Sequence, residues 1–186
     1  MKPSQKALSA YLVAATRDGN RVAADQLIRV HTPRLTAHAT RLLGEAEEAR
    51  DIVQDAWIEI LRGLKGLRDD ALFLPWALRI VTRRVARVIG GRQKDRAIGA
   101  QLVVLDETSV AADGPAAAEA DMVRRVLATL PAPQRAAMAL FYLEDMRVAE
   151  VAVALDVPVG TVKTRLMAAR KTLRAALKGE RNGKVG

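Results

Sequence analysis

Three stretches of the chain space their side chains in ways that suit recognition chemistry. In EAEEARDIVQDAWIEILRGL, Asp51, Gln54, Asp55 and Ile58 follow the i, i+3, i+4, i+7 spacing of one helix face. Ile52, Val53, Ala56, Trp57, Ile60, Leu61 and Leu64 fill an opposite apolar arc. Carboxylates and an amide around one aliphatic make either a plain solvated face or a docking surface, where Ile58 anchors and the acids select a basic partner. The second stretch is LFLPWALRIVTRRVARVIGGRQKDR. Its buried arc is Ala77, Leu78, Val81, Val85, Val88 and Ile89; Trp76, Arg79, Ile80, Arg83, Arg84 and Arg87 take the other side. Guanidinium groups grip phosphates bidentately and an aromatic offers a platform for an unpaired base. The loop before it, ending near Phe73, either receives a flipped base or caps the helix.

The third stretch, RVAEVAVALDVPVGTVKTRLMAARKTLRAAL, has a short apolar helix, the turn DVPVG and a longer basic helix, the order of a helix-turn-helix. Val162, Leu166, Ala169, Leu173 and Leu177 form the core stripe of the second helix. Lys163, Arg170, Lys171, Arg174 and Lys178 cover an adjacent face, with Thr161, Thr164 and Arg165 exposed near its start. Residues 158–186 hold eight basic residues and one acid, Glu180. A basic helix lying on a membrane or a partner is the alternative, and the helix, turn, helix order speaks against it.

The elements that must carry these faces are helical. Half of the 186 residues are hydrophobic but only 3% aromatic, a composition that favours helices over a β-sandwich. Apolar periodicity and Gly/Pro punctuation predict helices over 4–17, 21–31, 33–43, 45–64 and 72–89, then 117–129, 132–143, 148–155 and 159–177. Residues 1–91 carry 15 basic and 10 acidic groups, residues 92–120 carry 3 and 5, and residues 121–186 carry 12 and 6. The mildly acidic middle lacks a sustained helical period and contains Gly114-Pro115. The fold class expected is therefore all-α: a domain over 1–96, a flexible linker over 97–120 and a second small domain over 121–186. Residues 101–105 would be a short strand, a docking stretch or plain tether.

Thirty Lys and Arg against 21 Asp and Glu give a net charge of +9, which points to a polyanionic partner, nucleic acid first. Absence of Cys removes disulfides, a thiol nucleophile, iron–sulfur clusters and Cys-ligated zinc. His31 and His38 lie near no Ser or carboxylate motif, and no Gly-rich phosphate loop occurs, so no catalytic residues and no cofactor are expected. The two histidines are expected to be surface groups of adjoining helices. No apolar run of about 18 residues and no secretion leader is present, so the chain is expected in the cytoplasm without membrane insertion.

These motifs together resemble the bacterial RNA polymerase sigma factors of the extracytoplasmic-function (ECF) group, across almost the whole chain. Asp51-Ile52-Val53-Gln54-Asp55 matches that family's D-[LI]-V-Q-[ED] helix. Phe73, Trp76 and Ile80 sit at the spacing of its F-x-x-W-L-x-x-I element, with Ala77 for the usual Leu. Leu130, Pro131, Arg135, Tyr142, Glu144, Glu150, Val151 and Ala152 follow its carboxy-terminal pattern, as does Gly160-Thr161-Val162-Lys163-Thr164-Arg165-Leu166. The resemblance implies a transcription initiation factor. Asp51, Gln54, Asp55 and Ile58 would dock on the β′ clamp helices of core RNA polymerase. Phe73, Trp76, Arg79, Arg83, Arg84 and Arg87 would contact melted minus-10 promoter DNA, and Thr161, Lys163, Thr164, Arg165, Arg170 and Arg174 would grip minus-35 DNA. It further implies a contact with the polymerase β flap, a linker threading toward the RNA exit region, and an anti-sigma partner that covers these faces. Two departures stand out. Arg83 and Arg87 replace a common Asn and Asp, which alters the minus-10 contacts, and Met167-Ala168 replaces His and a basic residue, which removes phosphate or base contacts. A stand-alone helix-turn-helix regulator is the alternative; the DIVQD helix and the second nucleic-acid face argue against it.

Overall fold

The computed structural model describes residues 3–98, 127 and 129–182, and every regular element among them is helical. The first bundle comprises α1 (Pro3–Arg17), α2 (Arg21–Leu43), α3 (Ala46–Gly63) and α4 (Phe73–Ile98). The second comprises α5 (Ala132–Met138), which widens into a π turn over Ala139–Leu143, then α6 (Val148–Leu155) and α7 (Val159–Asn182). Two short 3-10 turns, Leu64–Gly66 and Asp70–Leu72, join α3 to α4. The predicted strand or tether at 101–105, most of the linker and most of the predicted helix 117–129 lie outside the described residues.

The predicted helices 21–31 and 33–43 are one helix. Ala23, Leu27, His31, Leu35, His38 and Ala39 keep a single buried face through Pro33. Pro33 forfeits the bond its N–H would make to the carbonyl of Arg29, and both residues lie on the exposed side of the helix, away from its buried face. The Asn20 side chain caps the helix by accepting from Ala23 N–H, worth about 1 kcal/mol, and Gly44 ends it at φ +91°. α4 likewise runs past the predicted stop at Gly90-Gly91, to Ile98. A glycine ends a helix when it turns left-handed, and neither of these does. Arg92, just beyond them, pairs with Glu48 of α3 at 2.6 Å.

The histidine expectation is overturned. His31 and His38 are fully buried, because at i and i+7 they share the arc of Leu27 and Leu35. His31 Nε2 meets Ser9 Oγ at 3.0 Å and its ring packs edge-on to Phe73, 5.0 Å between centroids. The core of the first bundle gathers Leu12, Val13, Leu27, Val53, Trp57, Ile60, Phe73 and Leu78; that of the second gathers Leu130, Leu140, Val151, Leu155, Val162 and Leu166. The two cores form one continuous apolar cluster, with α4 seated on α6 and α2 on α5.

Candidate nucleic-acid interface

α3 presents its two faces as its periodicity predicts. Ile52, Val53, Ala56, Trp57 and Ile60 are buried, and the Trp57 indole N–H donates to Thr32 Oγ1 at 2.9 Å, which fixes the rotation of the helix against α2. Asp51, Gln54 and Asp55 are exposed, with Ile58 51% exposed among them. Ile58 forms one wall of an open groove completed by Glu59, Arg62, Gly63 and Arg84. An aliphatic knob, two acids and an amide therefore stand together on one open surface.

α4 is more committed. Phe73, expected to touch DNA, is fully buried against His31, Trp57 and Trp76, so its part is to position the start of the helix. Ile80, expected on the outer arc, is also buried; it lies one turn from both Trp76 and Arg84, which face Gly63 and Glu59 of α3. Trp76 is half-buried and packs over Gly63, where a Cβ would lie 3.1 Å from the indole ring. Three of the four arginines are engaged within the chain. Arg79 Nε and Arg83 Nε each donate to one oxygen of Asp156 at 2.7 Å. Arg84 reaches Glu59 at 3.1 Å and Asp55 at 3.4 Å, so the acidic stripe and the basic stripe touch at their edges. Arg87 is exposed.

The helix-turn-helix forms as expected, α6 and α7 being joined through Asp156, Val157 and Pro158. Asp156 takes the left-handed conformation at φ 53° that ends α6. Within a longer helix the carbonyl of Ala154 would accept from residue 158, but Pro158 has no N–H. Thr82 of α4 supplies the missing donor, its Oγ1 to Ala154 O at 2.7 Å. Because the single Thr82 hydroxyl proton is then used, the 2.9 Å contact between His38 Nε2 and Thr82 Oγ1 has the imidazole as donor. His38 is therefore the neutral Nε2–H tautomer.

On α7, Lys163, Thr164, Arg170 and Arg174 are exposed as expected. Thr161 and Arg165 are half-buried and point to a different side, at 100° per residue about 120° and 160° from Met167. Arg165 therefore stands apart from the others, while Thr161, three residues before Thr164, borders them. Arg170 donates to the Tyr142 hydroxyl at 3.0 Å and lies over that ring, 5.7 Å from its centroid. Thr164 Oγ1 donates back to Gly160 O and keeps its lone pairs for an outside donor.

Ion pairs staple the two bundles. Lys6 of α1 meets Glu150 of α6 at 2.7 Å; Arg34 and Arg41 of α2 face Glu144 at 3.2 and 3.9 Å; Arg135 Nε donates to the carbonyl of Arg41. Burial raises the Glu150 carboxyl, but the Lys6 hydrogen bond, the Arg147 N–H and both positive charges outweigh it and hold it below its ordinary value. Asp156 is held low chiefly by the Arg83 hydrogen bond. Burial lowers the Arg41 guanidinium, partly offset by Glu144. Desolvation, helped by Arg34 and Arg41, lowers His31 to about 4 and His38 to about 3. The sequence offered one signal for the histidines, their phase with Leu27 and Leu35. It offered none for Asp156, whose partners lie more than 70 residues away.

Among the described residues no group of three or more His, Asp and Glu could hold a metal ion, and no helix is long and apolar enough to cross a membrane.

Comparison with known proteins places these surfaces in a family context. Profiles described as "Sigma-70 region 2" and "Sigma-70, region 4" match residues 27–94 and 120–173. The chain is 35% identical over 166 residues to the ECF RNA polymerase sigma factor SigM of Mycobacterium tuberculosis, covering 89% of this chain and 82% of that relative. It is 28% identical over 179 residues to the RNA polymerase sigma-H factor of Pseudomonas aeruginosa, covering 89% and 92%. Two solved structures share the fold. The sigma factor RpoE of Bartonella quintana, in complex with the anti-sigma factor NepR, superposes with a TM-score of 0.71 at 20% identity, over 83% of this chain and 96% of that one. CnrH, in complex with the cytosolic domain of CnrY, does so with 0.65 at 23% identity, over 92% and 98%.

Proposed function

Because the chain belongs to the ECF RNA polymerase sigma factors, we propose that it docks on core polymerase through the outer face of α3 and carries the enzyme to promoters with α4 and α7. In this reading residues 1–96 bind polymerase and minus-10 DNA, residues 121–186 bind minus-35 DNA, and 97–120 connect them. Asp51, Gln54 and Asp55 meet basic groups of the β′ clamp helices while Ile58 enters an apolar depression between them. Trp76, Arg79, Arg83, Arg84 and Arg87 serve the melted minus-10 strand, with Phe73 holding Trp76 from beneath. Lys163, Thr164, Arg170 and Arg174 serve minus-35 DNA, with the β flap as the second polymerase contact. The factor performs no chemistry and needs no cofactor; bond formation belongs to the polymerase.

The observation that supports this reading most is the division of exposure on α3, a buried Trp57 side and an open acidic side centred on Ile58. The ion pairs of α4 add a conformational step. The two promoter elements lie about 25 base pairs apart, roughly 85 Å along B-form DNA at about 3.4 Å per pair. In the docked arrangement Asp156, at the mouth of the helix-turn-helix, holds Arg79 and Arg83 of α4 directly. One promoter cannot occupy both faces until α4 and α6 part. An anti-sigma protein that grips both bundles would stabilise the docked form; the RpoE structure is a complex with the anti-sigma factor NepR, and the CnrH structure one with the cytosolic domain of CnrY.

Run-off transcription tests the reading. Purified core polymerase with this protein, on a library of genomic fragments, should yield discrete starts preceded by two spaced elements. Specific DNA binding without polymerase and no new starts would instead identify an operator-binding regulator.

A further inference from the structure

The exposed stripe of α7 consists of Lys163, Thr164, Met167, Arg170, Lys171 and Arg174. At 100° per residue these six fall within about 120° of arc, with Met167 at the centre. Met167 is 66% exposed, and each of its stripe neighbours carries a charge or a hydroxyl. The loss of a His at this position first suggests a lost contact, but the surroundings argue otherwise. A major groove lined with donors and acceptors presents one apolar group to a recognition helix, the C5 methyl of thymine. A methionine is long, unbranched and polarizable, and so reaches and moulds to such a group. Met167 lies three residues beyond Thr164, about 4.5 Å along the axis, between one and two base-pair steps of about 3.4 Å.

We propose that Met167 is a specificity-determining residue that packs on the C5 methyl of one thymine in the upstream promoter element, while Lys163, Arg170 and Arg174 hold the flanking phosphates. The inference rests on the assignment of α7 to minus-35 DNA and deepens it by naming the base.

Replacing thymine by deoxyuridine removes that methyl and nothing else. The holoenzyme, core polymerase with the full chain, is first given a promoter library randomised over the minus-35 element to obtain a preferred sequence. Each thymine of that element is then changed in turn to deoxyuridine, and open-complex formation is measured with the wild-type protein, Met167→Ala and Met167→Leu. Both substitutions sit on an exposed helical position and suit a helix. At one thymine the wild type should lose about fourfold on methyl removal. Met167→Ala should start about fourfold lower on the thymine promoter and lose nothing further with deoxyuridine, while Met167→Leu keeps the discrimination. The inference is overturned if no thymine of the element is methyl-sensitive, or if Met167→Ala keeps the wild-type ratio of thymine to deoxyuridine. A uniform loss for Met167→Ala on every promoter would mark Met167 as a polymerase contact and overturn it equally. If randomising the element changes nothing, the assignment of α7 to minus-35 DNA falls as well, a result distinct from methyl-insensitivity on an element that still matters.

Discussion

α3 and α4 are neighbouring amphipathic helices of one bundle, and their outer faces stand in opposite conditions. The outer stripe of α3 is open: Asp51, Gln54 and Ile58 look to solvent, while Asp55 leans on Arg84 at its edge. The basic face of α4 is already answered by the chain's own acids, Arg79 and Arg83 by Asp156 and Arg84 by Glu59 and Asp55. A partner reaching α3 adds contacts to a vacant surface, whereas a nucleic acid reaching α4 must displace carboxylates first. Spacing along a helix names its outward face; only the tertiary partners decide whether that face is available.

Deleting the vacant face should have the largest effect. The triple variant Asp51→Ala, Gln54→Ala, Asp55→Ala is expected to weaken core polymerase binding by roughly 100-fold, on the scale of a lost interface hot spot, and to melt close to wild type because all three positions are exposed. Fluorescence anisotropy with labelled protein and a thermal melt check the two halves of that statement.

Acid should sharpen the contrast from within. His31 and His38 are lowered from 6.5 to about 4 and about 3, so the unfolded chain takes up protons before the folded one. Their contribution to stability is full above pH 6.5 and drains away as pH falls toward 4 and then 3. Urea unfolding midpoints should fall steadily over that window. His38→Gln, whose amide can still donate to Thr82, should remove part of the slope. Glu150 and Asp156, both held low, act later: their share is complete above about pH 4.5 and is lost only as pH drops through their depressed values.

The smallest effect is expected from Asp156→Asn. Asn tolerates the left-handed backbone that ends α6, so the turn survives while the charge on Arg79 and Arg83 is lifted. Both pairs are solvent-accessible and so weak, of the order of 0.2 to 1 kcal/mol each. Non-specific DNA affinity of the free protein should therefore rise about two- to fivefold, read by filter binding at low salt, with a steeper salt dependence because two more cations reach phosphate.

Much of this was legible in the sequence. The helical content, the helix-turn-helix and the acidic stripe of α3 follow from periodicity, because a face three or four residues apart on a helix is a local property. The continuity of α2 through Pro33 and the burial of His31 and His38 were not taken from it. Proline usually ends a helix and histidine usually lies at the surface, but the phase of His31 and His38 with Leu27 and Leu35 carries one buried face past an exposed Pro33. Ile80 and Phe73 are buried for another reason: tertiary neighbours cover them, Phe73 meeting His31 and Trp57 of other helices and Ile80 sitting between two side chains that face α3. Asp156 looked like a turn residue, and its pairing with Arg79 and Arg83 is a product of docking alone.

The most direct test of this account is the distance between the bundles. The chain has no Cys, so Ala86→Cys on α4 and Thr172→Cys on α7, both exposed, take a pair of spin labels specifically. Pulsed electron resonance is measured on the free protein, on the holoenzyme and on the holoenzyme with a promoter. A short, narrow distance in the free protein that lengthens by tens of ångströms on the promoter is the predicted result. The same short distance in all three states, or a long one in the free protein, would contradict it.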